Sequence, residues 1–577
     1  MRLFCVVLLL GLSSSSLAGV TVQVPGLVVP PAYAPRRDDA EKLFTTSYNA
    51  YKQFAFGHDD LSPVSRGFSD GRNGWGASIV DAMPTMLVMG LEDIFEEAVN
   101  FSSKIDFSKS QTSDTVSVFE TTIRYLGGLL SSYELSDQKF PVLVTKAKEV
   151  ADKMAFAWVG NNDVPFGHID FSTNTPQRAT ESHLFALSCR YPDQILQSNI
   201  AEAGTLSLEW LTLSKYTNNA TYANLTARSV KHIANLAAPL PGLAAQGIDP
   251  TSGNFVGGYV TWGGGSDSYF EYLLKYARLT NNADPIYIDT WKAGSAATSH
   301  SLRSTLFPLP HFTPNSYFAQ KSTVGNHSYL ADFDSSRLIR HVGSHLACFH
   351  AGNWLLGGKL LQNQTIIDIA LDLNEGCWNT YASTATGIGP EAFAFIGTDG
   401  NFTGGSTPSA SQLAFYNQHG YYITSSAYIL RPEVLESNMQ ARMAVRRTVT
   451  GDTKYLDRAA SAIDAFNKFL PATVAFAGLN NVNSVNGGLI DDMESFWFAE
   501  VLKYLYLTFD DPSHISLDDY VFNTECQPFK APPALDSYAG SGKLIPAKPF
   551  AVQSGELPAI SPNAFSPISL KKVINPQ

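Results

Sequence analysis

The chain has 577 residues, with 40 Lys and Arg against 52 Asp and Glu for a formal net charge of −12. At about 150 residues per domain the length allows three or four domains, or one large toroid. With 44% hydrophobic, 12% aromatic and only 16% charged residues, the chain can bury a large core, which excludes disorder for most of it. The acidic balance excludes nucleic acid and an anionic membrane as partners, since both need a basic face. Low charge with many aromatics fits a polar, uncharged ligand such as a sugar.

Residues 1–18 read as a secretory signal: Arg2, then the apolar Phe4–Leu12, then Ser16-Leu17-Ala18 with small residues at the cleavage positions. No later segment reaches the roughly 18 uninterrupted apolar residues that span a bilayer. The expectation is a protein without a membrane anchor, secreted or in the lumen of the secretory pathway. Six sequons agree with that compartment, at Asn100, Asn219, Asn224, Asn326, Asn363 and Asn401. Cys5 leaves with the signal, and the remaining Cys189, Cys348, Cys377 and Cys526 allow three pairings. No Cys/His cluster suggests zinc.

Residues 19–37 lead into a helical pattern that begins near Asp38. Val116, Phe119, Ile123, Leu126 and Leu130 form a stripe at spacings of three and four, and Leu206–Tyr216, Tyr269–Leu279, Ile366–Leu373, Val434–Val445 and Ala459–Leu470 read similarly. Gly, Pro and Asn punctuate between them, and strand patterns are few, with Asn254–Val260 the best. Helix, loop, helix continues without a linker, which predicts one all-helical domain over 38–529. Residues 530–577 differ, since eight of the 31 prolines fall after Lys530. An extended or disordered tail is expected there.

The sharpest chemical signal lies between Met493 and Phe509, which is apolar round its whole circumference yet holds Glu494 and Glu500. A buried carboxylate is costly unless paired, hydrogen-bonded or near a metal. One reading has an acid at a wet helix end beside Lys503; the other has at least one facing a polar central cavity. The oddity recurs. Glu120 sits beside an apolar stripe with Arg124 one turn on, which a solvated i,i+4 ion pair also explains. Asp267 and Glu271 open a helix after three glycines, where Asp267 could be an N-cap. Arg431-Pro-Glu433-Val-Leu-Glu436 puts two acids in a first turn, favoured by the helix dipole. Glu202 precedes an apolar run and Glu391 follows Gly387-Ile-Gly-Pro390. Together these acids suggest one acidic pocket.

Phe119-Glu120-Thr-Thr-Ile-Arg124-Tyr-Leu-Gly-Gly128, Asp267-Ser-Tyr-Phe-Glu271-Tyr-Leu-Leu-Lys275, Leu430-Arg-Pro-Glu433-Val-Leu-Glu436-Ser437, Met493-Glu-Ser-Phe-Trp-Phe-Ala-Glu500-Val-Leu-Lys-Tyr504 and Val521-Phe-Asn-Thr524-Glu525 closely resemble the class I α-1,2-mannosidases of glycoside hydrolase family 47, in order along 38–529. The resemblance implies an all-α (α/α)7 barrel whose pocket takes a high-mannose N-glycan, and an inverting exo-hydrolysis of terminal α-1,2-linked mannose. It implies a Ca²⁺ ion held by the carbonyl and hydroxyl oxygens of Thr524, with water as the other ligands. Glu202, Glu271, Glu436, Glu500 and Glu525 would hold those waters and the sugar hydroxyls, with Arg124 and Arg431 beside the substrate.

An inverting glycosidase needs an acid and a base with room for water between them. Glu120 matches the usual acid, Glu433 the base, Asp267 a third essential carboxylate, and Glu391 a residue also given acid roles; which of Glu120, Asp267 and Glu391 donates the proton stays open. Cys348 and Cys377 match the family's disulfide. Two departures stand out: Cys526-Gln527 where the family has Ala-His, leaving Cys526 as a buried thiol, and Gly265 where endoplasmic-reticulum members carry an arginine. The small residue implies removal of several mannoses. A monomer is expected. The alternative is a lectin-like binder of the same fold with little turnover, against which the full set of acids argues.

Overall fold

Helices with one apolar stripe alternate along the chain with helices buried on nearly every side, and the two kinds take different places. The computed structural model describes residues 19–160, 162–177, 198–299, 319–335, 339–397, 407–445 and 453–541. The signal, Cys189, Asn401 and the tail beyond 541 lie outside them.

The striped helices are α1 (Ala34–Phe54), α3 (Glu92–Ser102), α5 (Pro141–Met154), α7 (Thr221–Asn235), α9 (Ile286–Ser299), α11 (Gln364–Ala382) and α13 (Lys454–Phe469). Helix α13 buries Tyr455, Leu456, Ala459, Ala462, Ile463 and Phe466 and exposes Asp457, Asp464 and Lys468, the pattern of a helix with one face on a core. Between them run α2 (Ala77–Val88), α4 (118–135), α6 (Ser207–Thr217), α8 (Asp267–Leu279), α10 (Phe349–Leu360), α12 (Glu433–Ala444) and α14 (497–509). Every residue of α12 is buried. The buried set forms an inner ring and the striped set an outer one, so seven outer–inner pairs make an (α/α)7 barrel. The ring closes where the chain's ends meet: Trp497 Nε1 on α14 donates to Ser47 Oγ on α1 (3.0 Å), and Thr85 Oγ1 on α2 donates to the Phe498 carbonyl (2.8 Å).

Local sequence sets two of the closest approaches. Pro84 lies inside α2, and a proline has no N–H for the carbonyl four residues back. That carbonyl, of Val80, faces Gly128 on α4, where a Cβ would stand 2.5 Å from the oxygen. The neighbouring Gly127 would place a Cβ 2.7 Å from Asn523 Nδ2; its bare backbone admits a hairpin into the barrel centre. The strands of that hairpin, Tyr520–Phe522 and Pro528–Lys530, pair antiparallel with Val521 opposite Phe529. Buried Lys503 of α14 pins its turn, with Nζ on the Cys526 carbonyl (2.7 Å) and on Gln527 Oε1 (3.2 Å).

The sheets among the described residues have two or three strands each and link helices. Of the strand pattern at Asn254–Val260, Phe255–Val256 pairs with Gly247–Ile248, while Val260 bridges to Phe333. The first barrel helix starts at Ala34, four residues before the expected 38. Residues 531–541 form no helix or strand and are tied down: the Leu535 carbonyl accepts from the Val20 N–H (2.8 Å), and Tyr538 donates to Asn281 Oδ1 (2.6 Å).

Candidate active site

The barrel holds a cavity of about 120 Å³ that opens to solvent, with Thr524 and Glu525 of the hairpin turn in its lining. Nine carboxylates line it against three guanidiniums. Phe119, Phe349 and Phe496 supply apolar wall, and Gly265 lines it without a side chain.

Glu120 enters at the first turn of α4, where Ser117 Oγ accepts its backbone N–H (3.2 Å). A π-helical turn at Thr121–Leu126 follows, and Arg124 Nε reaches back to Glu120 Oε2 (2.8 Å). This is no solvated surface pair. Arg124 is 5% exposed and also meets Glu525, Ser495 Oγ (3.0 Å) and Asp81 (3.5 Å). A second guanidinium, Arg72, stands 3.5 Å from Glu120 and 3.4 Å from Glu494. Burial pushes the Glu120 carboxyl up, but Arg72 and Arg124 outweigh it and hold it at about 2. Glu120 is therefore ionised at any working pH.

Asp267 is the first residue of α8, not its cap; Ser266 takes that place. Its Oδ1 accepts the Ser268 N–H (2.9 Å). Among the described residues no cation forms an ion pair with it, so burial, reinforced by Glu271 and Glu433 against the Ser268 bond and the charge of Arg431, raises it to about 7. Glu202, in the short helix Ile200–Gly204 capped by Asn199, is likewise raised to about 7 by burial, against hydrogen bonds from Asn199 and Ser198.

Glu433 opens α12 after Pro432. His345 lies between it (Nδ1 to Oε2, 2.7 Å) and the Tyr381 hydroxyl (Nε2, 2.8 Å). Burial raises Glu433, but His345 and then Arg431 prevail and keep it below the usual carboxylate range. Arg431 Nε binds both oxygens of Glu391 (2.7 and 2.8 Å). Glu391 does not line the cavity; it stands behind Arg431, raised by burial against that guanidinium. Asp267 thus differs from the other three acids, each of which holds an ion pair.

At the closed end, Glu271 is paired with Lys275, while Glu436 accepts from Gln440 Nε2 (3.0 Å). Glu500 makes no hydrogen bond or ion pair with any described residue. Burial and mutual repulsion raise Glu436, Glu500 and Glu525 well above the carboxylate range, with Lys275 and Arg124 opposing at Glu436 and Glu525. The carbonyl and hydroxyl oxygens of Thr524 accept no hydrogen bond from the described residues. Among those residues no three His, Cys, Asp or Glu side chains converge as ligands. Two free hard oxygens beside under-compensated carboxylates fit a divalent cation bound through Thr524 and water rather than by direct carboxylate ligation.

Arg72, Glu494 and His345 were not singled out as site residues by sequence reasoning. Arg72 and His345 lie in short connections with no periodic signal; for Glu494 and Glu500 the sequence reading expected at least one to face a central cavity, and both line it. Cys348 and Cys377 are bonded, with Cα atoms 5.8 Å apart, and Cys526 is a buried thiol. Asn100, Asn219, Asn224 and Asn326 are exposed. Asn363 is half-buried and caps α11, its Oδ1 on the Ile366 N–H (3.3 Å). No described helix is long and apolar enough to cross a membrane.

A helical barrel with acids of unequal charge state round one cavity is the frame of a glycoside hydrolase. The sequence profile of glycosyl hydrolase family 47 matches residues 43–531. The chain is 38% identical over 515 residues to a mannosyl-oligosaccharide α-1,2-mannosidase 1B of Aspergillus phoenicis, covering 86% of this chain and 91% of the relative. A relative of the same description from Emericella nidulans is 36% identical, with 86% and 93% covered. The α-1,2-mannosidase of Trichoderma reesei superposes with a TM-score of 0.77 at 35% identity, covering 88% of this chain and all of that one. The chain belongs to glycosyl hydrolase family 47 and is a glycoside hydrolase.

Proposed function

We propose that the protein is a Ca²⁺-dependent, inverting exo-α-1,2-mannosidase that trims terminal mannose from high-mannose N-glycans, acting as a monomer in the secretory pathway or outside the cell. The observation that carries the reading is the split in charge state round one cavity, with Glu433 held ionised by His345 and Arg431 while Asp267 is raised to about 7. In this mechanism Glu433 takes a proton from the attacking water. Asp267 delivers one to the leaving oxygen on the opposite face. Glu120, fixed as an anion between Arg72 and Arg124, is assigned an electrostatic and positioning role rather than the donor's. Arg431 is the hinge between base and wall, held by Glu391 on one side and 3.9 Å from Glu433 on the other.

Glu202, Glu271, Glu436, Glu500 and Glu525 accept hydrogen bonds from sugar hydroxyls and from water at the closed end. The free oxygens of Thr524 are the protein's ligands for the cation. When bound, Ca²⁺ supplies a hard positive charge that orients vicinal hydroxyls and offsets the acids around it. Gly265 puts no side chain into the cavity, which supports removal of several mannoses. Incubation with a high-mannose glycan is the test: stepwise loss of α-1,2-linked mannose with Ca²⁺, and none after chelation. A glycan that binds but stays intact with Ca²⁺ present contradicts the reading and favours a lectin-like role.

A further inference from the structure

The carboxyl group of Glu209 is buried outside the cavity, and the mechanism above does not use it. It lies on α6 and is 0% exposed. Its Oε1 accepts from the Tyr272 hydroxyl (2.6 Å) and from Asn523 Nδ2 (2.8 Å). Its Oε2 has no hydrogen-bond partner among the described residues. A buried carboxyl with one bare oxygen is a net cost to folding, so its presence calls for a reason other than stability.

The two bonds it does make converge on the hairpin turn. Asn523 Nδ2 also donates to the Ile123 carbonyl (3.0 Å), so two acceptors fix which end of the Asn523 amide points where. Its Oδ1 is thereby turned to the N–H groups of Glu525 (2.9 Å) and Gln527 (2.7 Å). In a planar trans peptide the N–H and C=O point in opposite directions. With the Glu525 N–H on Asn523, the Thr524 carbonyl must face away from Asn523. The Thr524 N–H is held as well, on the Tyr272 hydroxyl (3.2 Å).

We propose that Glu209 is a positioning residue for the cation, which through Asn523 and Tyr272 presets the 523–525 turn so that both oxygens of Thr524 face the cavity. The proposal rests on the calcium reading above. Outer partners of this kind change metal affinity by about 10- to 100-fold when removed.

The test is calorimetric Ca²⁺ titration of the chelator-stripped, full-length protein, with melting temperatures in chelator measured alongside. Glu209→Leu is expected to weaken Ca²⁺ binding about 10- to 100-fold. Glu209→Gln keeps an acceptor at Oε1 and retains wild-type affinity. Tyr272→Phe removes one of the two links and carries the test if Glu209→Leu does not fold, with a loss of about tenfold expected. Wild-type affinity in Glu209→Leu or in Tyr272→Phe overturns the proposal, as does a lower melting temperature of either in chelator with unchanged Ca²⁺ affinity. A wild-type protein that takes up no Ca²⁺ overturns the calcium reading, and the proposal with it.

Discussion

Glu433→Gln keeps the shape of the proposed base and removes its charge, and the surroundings of Glu433 let two consequences be worked out. The first is the rate. Loss of a general base costs about 10²- to 10⁴-fold, or roughly 3–5 kcal/mol of transition-state stabilisation at about 1.4 kcal/mol per decade. The amide oxygen can still accept from His345, so substrate affinity should be little changed and the loss should fall on kcat. The second consequence is on a different residue. Burial is the main reason Asp267 is raised to about 7, but the charge of Glu433 is among the others. Removing that charge lowers Asp267. The assay is kcat/KM on an α-1,2-linked mannobiose from pH 2.5 to 9 at saturating Ca²⁺. The wild type should give a bell, with an acid limb below the usual carboxylate range from Glu433 and an alkaline limb near 7 from Asp267. The variant's residual activity should lose the acid limb and show its alkaline limb at lower pH. Near-normal kcat, or an alkaline limb that stays in place, refutes the division of labour between the two acids.

Stability should depend on pH in a direction set by the same acids. Burial raises Asp267 and Glu202 to about 7 in the folded protein, from ordinary values of 3.8 and 4.5. Raised carboxyls favour folding fully below their unfolded values, and the benefit is lost as pH rises through about 7. In chelator the melting temperature should therefore fall between about pH 4.5 and 7, and the gain on adding Ca²⁺ should grow over the same range; a steady rise in chelator contradicts this. Replacing Cys348 and Cys377 together by Ser opens a loop with a sequence separation of 29, which the chain-entropy relation values at about 3.6 kcal/mol. Because the Cys348 carbonyl accepts from Ser437 Oγ on α12 (2.6 Å), kcat should fall too. A loss under about 1 kcal/mol in denaturant titration speaks against the loop-closure account.

The outer helices were legible because each carries one apolar stripe, as α13 does. The inner helices gave a different signal, an acid within an apolar run, and Glu500, which carries that signal, is buried and lines the cavity. Glu120 shows the limit of the stripe rule. Beside Arg124 it reads as a solvated pair, because periodicity along one helix cannot tell a polar face turned to water from one turned into a cavity ringed by six other helices. Thr524 and the Cys348–Cys377 pair were reached only through family resemblance. Arg72, His345 and Glu209 act through partners 48, 88 and 314 positions away in the chain, a separation that no local pattern encodes.

The account stands or falls on water attacking the sugar from the face opposite the proton donor. Proton NMR of the first mannose released from a high-mannose glycan, recorded before mutarotation, tests that directly. The account predicts β-mannose as the initial product, with the α-anomer appearing later by equilibration; α-mannose at the earliest time points would contradict it.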